Sequence, residues 1–262
     1  MVQAVHRAVQ VLKELATGTQ RLGVSELALR LNVAKPTAHA LLRTLESEGL
    51  VTQDAETSKY QLGPGLVTLG NAYLDSHKLR IRAVTWADIL ATRAKSAVWV
   101  GVMVDRQVLV IHHASRPGTT VQTVETGASL PWNTCALGKA IVAFLPPEQR
   151  AALLGSDLAR VTGASIDDPE VLDEQLRGVR EIGYASDNQE STLGDASVAA
   201  PVFDHTGQVA GAVALVGPVE RFQDEFTHHE GAIATREIAR SLSRDLGAPR
   251  NAGLSAERPP EP

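Results

Sequence analysis

The chain has 262 residues, 44% of them apolar and 21% charged, with a formal net charge of −5, a make-up that excludes disordered and fibrous classes and allows two domains with proper cores. Its one cysteine, Cys135, excludes an intramolecular disulfide and a thiolate-cluster metal site. No uncharged apolar run is long enough to span a membrane, and Arg7, Lys13 and Glu14 interrupt any leader-like N-terminus, so a cytoplasmic protein without a membrane partner is expected.

Residues 2–15 read as an amphipathic helix. Next, Ser25 is placed to cap a short helix, Glu26 suits its positive end, Leu27, Ala28 and Leu31 give it an apolar face, and Asn32 closes it. Pro36 fits the first turn of another helix, in which Ala38, Leu41, Leu42 and Leu45 fall at i, i+3, i+4 and i+7. That stripe faces inward and leaves Thr37, His39, Ala40, Arg43 and Thr44 outside. Gly49 ends the helix, and 51–53 and 60–62 alternate as two strands around a polar tip at 54–58.

Helix, tight turn, helix and hairpin in this order make a winged helix-turn-helix, although paired short helices also occur in domains that bind nothing. The expected DNA contacts are Lys35, Pro36, Thr37, His39, Ala40 and Arg43 on the second helix of the motif, with Arg21 and Lys59 on phosphates. No good capping residue precedes Pro36, which leaves that helix N-terminus open to a DNA phosphate. Through Arg80 there are nine Lys and Arg against seven Asp and Glu, and beyond it sixteen against twenty-three. Such a small basic excess favours a dimer, which doubles the contacts and matches paired half-sites.

The expected divisions are 1–63 for the winged domain, 64–80 for a linker helix, 81–247 for a second domain and 248–262 for a disordered tail rich in Pro, Arg and Glu. In the second domain, 81–94 has helical periodicity, 97–104 and 107–114 are strands around a turn at Asp105-Arg106, and 120–124 continues the sheet. Helices are expected at 136–144, at 169–182 behind Asp168 and Pro169, and at 226–246. Between the last two, 184–187 is strand-like and 197–204 with 208–216 form a hairpin. The class is α+β, an antiparallel sheet with helices packed on it.

Such a domain behind a DNA-binding head is a small-molecule sensor or a dimerisation module. The segment 126–138, TGASLPWNTCALG, has the composition of a pocket-lining loop and also of any tight turn; Trp132 is a stacking ring or a core anchor. An enzyme would need Cys135 as nucleophile, His112 or His113 as base and Asp187 as orienter, but adjacent histidines on a strand point to opposite faces. The same divergence weakens a metal site built from His112, His113, His228 and His229, so no cofactor is expected.

The blocks AKPTAHALLRTLESEGLV, KYQLG, GASLPWNTCALGKAIVAFLP, GYASDNQESTLGDASVAAPVFD, GPVERF and SLSRDLG, in this order, resemble the IclR-type transcriptional regulators from about Val5 to Gly247. The resemblance implies a winged helix-turn-helix joined by a linker helix to a GAF-like effector-binding domain, working without catalysis as a homodimer or dimer of dimers on operator DNA, and by family habit as a repressor. In members that bind small oxoacids, the effector is held by the loop equivalent to Asn133, Thr134 and Cys135 up to Gly138, by an acid equivalent to Asp187, by a polar residue equivalent to Ser197, and by two serines. Those two serines align with Ala214 and Val216, which removes two hydroxyl donors and disfavours a small oxoacid. The polar end of the effector is then expected near His112, His113 or Arg116, with Trp132 beside it. The blocks RLGVSELALRLNVAKPTAH, TLGNAYLDSHKLRIRA and VIHHASRP are most similar to the branch that controls glycerol catabolism operons. That implies glycerol or glycerol 3-phosphate as the effector.

Overall fold

The computed structural model describes residues 1–17, 21–115, 126–222 and 225–253, the last stretch without the side chains of 225–228. The chain divides into two units, Met1–Ser76 and His77–Pro262. No helix among the described residues is long and apolar enough to cross a membrane.

The first unit holds α1 (Gln3–Ala16), α2 (Val24–Arg30), α3 (Lys35–Ser47), the antiparallel hairpin of β1 (Val51–Gln53) and β2 (Tyr60–Leu62), and α4 (Gly65–Ser76). The stripe on α3 is its buried face. Ala38, Leu42 and Leu45 are covered and Leu41 is half-buried, the two buried leucines packing with Val11, Leu15, Leu27, Val51 and Tyr60. The start of α2 differs from expectation. Its N-cap is Gly23 and Ser25 lies inside the first turn, because Leu22 is locked into a bridge with Tyr60, N to O at 3.0 and 2.8 Å. That bridge fixes the extended approach, so the helix begins as soon as the chain leaves it. Asn32 takes a left-handed φ of 50° just after α2, and Gly49 one of 70° after α3, as their terminating roles require.

No residue of α4 is buried in this unit, and Val67, Leu69 and Tyr73 are 65%, 59% and 44% exposed. The linker helix expected over 64–80 is interrupted: His77, at φ −79° and ψ 110°, is extended and separates α4 from α5 (Lys78–Ala94).

The second unit contains a six-stranded antiparallel sheet in the order β5-β4-β3-β8-β7-β6, formed by β3 (Ala97–Val104), β4 (Gln107–Ala114), β5 (Ser129–Pro131), β6 (Ala185–Asn188), β7 (Asp195–Phe203) and β8 (Val209–Pro218). Helices α6 (Ala136–Val142), α7 (Pro147–Leu154), α8 (Pro169–Ile182) and α9 (Glu225–Asp245) complete it. One face of the sheet, carrying Ala97, Trp99, Ala199, Ala214 and Val216, packs on Leu137 and Ile141 of α6 and Leu172 and Leu176 of α8. The opposite face meets α5 and α9: a Cβ on Gly211 would lie 2.6 Å from Leu79, and one on Gly231 would lie 3.6 Å from Leu215. Asp168 caps α8 by accepting from the backbone N–H groups of Glu170 and Val171 at 2.9 and 3.3 Å. Helix α7 and strand β5 carried no periodicity of their own. The expected strand at 120–124 lies outside the described residues. Residues 248–253, expected to begin a free tail, instead fold back on the domain, with Gly253 against the rings of Phe203 and Phe144.

Candidate functional site

On the first unit, α3 presents Lys35, Pro36, His39, Ala40 and Arg43 to solvent, with Thr37 half-buried at its first turn. Its N-cap is Ala34 and no side chain caps it. The free N–H groups of that turn sit beside Lys35 and Thr37, an arrangement suited to a phosphate oxygen. Lys59 is exposed on the wing. Arg21 is not simply poised for a phosphate: it donates to Asp54 at the wing tip. Asp54 also accepts from the Thr57 hydroxyl and N–H at 2.7 and 2.8 Å, bonds that hold its carboxyl below its ordinary pKa.

In the second unit, strand register assembles two rows on the α6 face. Asp187 pairs with Ser197, Ser197 with Val216 and Val216 with Ala97; one step along, Ala185, Ala199, Ala214, Trp99 and His113 are paired in turn. Asp187, Ser197, Ala214, Val216, Trp132 and Cys135 are all buried here. The Ser197 hydroxyl donates to Asp187, and the Glu190 N–H donates to its other oxygen at 3.3 Å. Burial, reinforced by the neighbouring Glu190 charge, raises the Asp187 pKa to about 6. Beside it the Lys139 ammonium donates to both Glu190 oxygens at 2.6 and 2.7 Å, with the two side chains 1% and 7% exposed. Neither Lys139 nor Glu190 was picked out from the sequence.

His112 is not part of this face. A bulge in β4, where the register shifts between Val100 and Gly101, reverses the alternation beyond Ile111, so His112 pairs with Val100 and His113 pairs with Trp99. His112 therefore lies on the α5 side, where burial lowers its pKa and Asp88 and Arg80 of α5 act on it. Trp99, which the sequence reading passed over, stands next to Ala214 instead, and its indole N–H has no acceptor among the described residues. Arg116 lies outside the described residues.

The turn over this face is built by its own side chains. Asn133 is fully engaged, its amide donating to the Ala159 and Ile166 carbonyls at 2.8 and 3.0 Å and its oxygen accepting from the Ala159 N–H at 3.2 Å. It anchors the 159–166 loop and offers no free donor to a ligand, contrary to expectation. Thr134 likewise donates to the Pro131 carbonyl at 3.1 Å. Cys135 caps α6, its sulfur accepting from the Gly138 N–H at 3.4 Å, and burial pushes its thiol up to about 12. A Cβ on Gly138 would lie 2.1 Å from the Trp132 carbonyl oxygen, so only glycine allows this turn to close on the helix. A thiol held protonated by burial is not the thiolate that a nucleophilic triad needs. Among the described residues no group of three metal-ligating side chains is gathered.

A profile described as the IclR helix-turn-helix domain matches residues 4–55, and one described as the C-terminal domain of bacterial IclR transcriptional regulators matches 71–244. The glycerol operon regulatory proteins of Streptomyces griseus and Streptomyces coelicolor are each 42% identical over 250 residues, covering 95% of this chain and 98% of theirs. The crystal structure of an IclR transcriptional regulator from Alicyclobacillus acidocaldarius matches with a TM-score of 0.82 at 30% identity, over 94% of this chain and all of that one. With both halves matched in one order along nearly its whole length, the chain belongs to the IclR family and is a DNA-binding transcriptional regulator with an effector-binding domain, not an enzyme.

Proposed function

We propose that this regulator represses a glycerol catabolic operon in the cytoplasm, and that a polyol effector held on the Asp187–Ser197 face changes its fit to paired half-sites. The observation that carries the effector reading is the buried polar row itself: an acid and a serine beside an indole N–H that finds no acceptor. An orphaned buried donor costs about 1–3 kcal/mol, which a ligand oxygen recovers. Of glycerol and glycerol 3-phosphate, the charges here favour the neutral molecule. Lys139 is neutralised by Glu190, Asp187 adds a further acid, and a phosphate placed among them would meet repulsion. Ala214 and Val216 give the apolar wall against which a carbon chain lies. The 42% identity to glycerol operon regulatory proteins supports the same class.

The DNA contacts in this reading are Lys35, Pro36, Thr37, His39, Ala40 and Arg43, with Lys59 and Arg21 along the phosphates. A second copy of the chain covers the apolar surface of α4 and the exposed Val5 and Val9 of α1. In a dimer or dimer of dimers, the effector acts only through its difference in affinity for two placements of the heads. Calorimetric titration of glycerol and glycerol 3-phosphate into the full-length protein tests the assignment. Glycerol should bind, at least tenfold more weakly in Asp187→Ala; absence of binding by both at millimolar concentration would overturn it.

A further inference from the structure

A groove of about 650 Å³ opens where the C-terminal end of α8, the end of β7 and the last turns of α9 meet the returning residues 248–253. Its charged lining is Arg180, Arg236, Arg240, Arg244 and Arg250 against a single acid, Glu181. Composition does not account for this, since the chain as a whole carries a net charge of −5.

The arginines of α9 fall at i, i+4 and i+8 and so share one flank, where like charges repel unless something anionic lies between them. Two α9 acids are held by α5 instead: Glu237 accepts from Arg93 at 3.0 Å and Asp245 from the Trp86 indole at 2.8 Å. Arg244 donates to Ser241 at 3.0 Å, and Arg236 lies over Gly183, 3.2 Å from where a Cβ would stand. No ion pair of Arg236, Arg240, Arg244 or Arg250 occurs among the described residues. The groove also has an apolar side, where Phe144 and Phe203 meet edge to face at 5.3 Å. None of Asp187, Ser197, Ala199, Ala214 and Val216 lines it. The groove is thus separate from the effector face.

We propose that this groove is a second ligand site, for a small molecule carrying two phosphate groups. Guanidinium forks match phosphate oxygens in pairs, several arginines call for more than one such group, and the volume is that of a small-ligand cleft. A concave groove of this size does not suit duplex DNA, which is read by elements that project into it.

The test is calorimetric titration of pyrophosphate into the full-length protein at low ionic strength, without DNA. Wild type should bind it, R240A/R244A should bind at least tenfold more weakly, R240K/R244K should fall between them, and D187A should match wild type. Should the double variant unfold, R250A, on the turn after α9, should weaken binding on its own. No binding by wild type at millimolar pyrophosphate, or equal affinity in wild type and the arginine variants, would overturn the proposal. A loss confined to D187A would also overturn it and move the anion to the effector face, leaving the polyol reading to its own titration.

Discussion

Lys139→Met tests whether the charge cluster beside Asp187 is as dry as its geometry indicates. Methionine nearly reproduces the stem and volume of lysine but removes the ammonium that both Glu190 oxygens accept from at 2.6 and 2.7 Å. Glu190 is then left 6% exposed, with Asp187 as a neighbouring acid. Stranding one member of a buried pair costs about 3–5 kcal/mol, and for a domain of this size each kcal/mol lowers Tm by roughly 2–4 °C, so the variant should melt roughly 6–20 °C below wild type. Removing both charges in K139M/E190L should recover most of the loss, since an apolar pair fills the space without an unpaired ion. Calorimetric melting at pH 7.5 measures wild type and both variants. A single variant within about 1 kcal/mol of wild type at pH 7.5, with no help from the second substitution, would show that water reaches the pair and would refute the reasoning.

Asp187, raised to about pKa 6, keeps a proton in the folded state that the unfolded chain releases near the ordinary aspartate value of 3.8. Its contribution to stability therefore falls as pH rises from about 4 to about 6; urea midpoints across that window should show the slope in wild type and its absence in Asp187→Asn. Cys135, buried with its thiol pushed up to about 12, should react with a disulfide reagent only at the rate of unfolding; fast labelling of the native protein would contradict the packed turn. Substituting Thr37 or His39 should reorder the protein's preference among operator sequences. Lys59→Ala should weaken all DNA alike and reduce the log K against log salt slope by about one unit; equal losses on operator and random DNA for the helix variants would remove α3 from base reading.

The helices and hairpins with strong periodicity were legible in the sequence because local pattern decides them. The apolar spacing on α3, the Asp168-Pro169 start of α8 and the turn at Asp105 all name their elements without outside help. Ser25 failed as a cap because a bridge from Leu22 to Tyr60, distant in sequence, set where α2 begins. Of the histidine pair on β4, His113 and not His112 falls on the α6 face, because one extra residue in β4 inverts an alternation that reads as regular along the chain. Lys139 did leave a trace, a lone charge in the apolar run ALGKAIVAF, and such a residue must be paired. Its partner Glu190, 51 residues away, is fixed only by the fold. Asp187 and Ser197 of the proposed effector face came through the family resemblance, whereas Trp99 is visible only once β3 is aligned beside β8.

The most direct test of the central claim is fluorescence anisotropy on DNA from immediately upstream of the protein's own gene, with salt varied and glycerol or glycerol 3-phosphate added. The protein should bind this DNA tightly and in preference to random sequence, with an affinity that weakens steeply with salt and changes when the polyol is present. Binding that does not distinguish operator from random DNA, or that neither compound alters, would contradict an effector-gated regulator of glycerol catabolism.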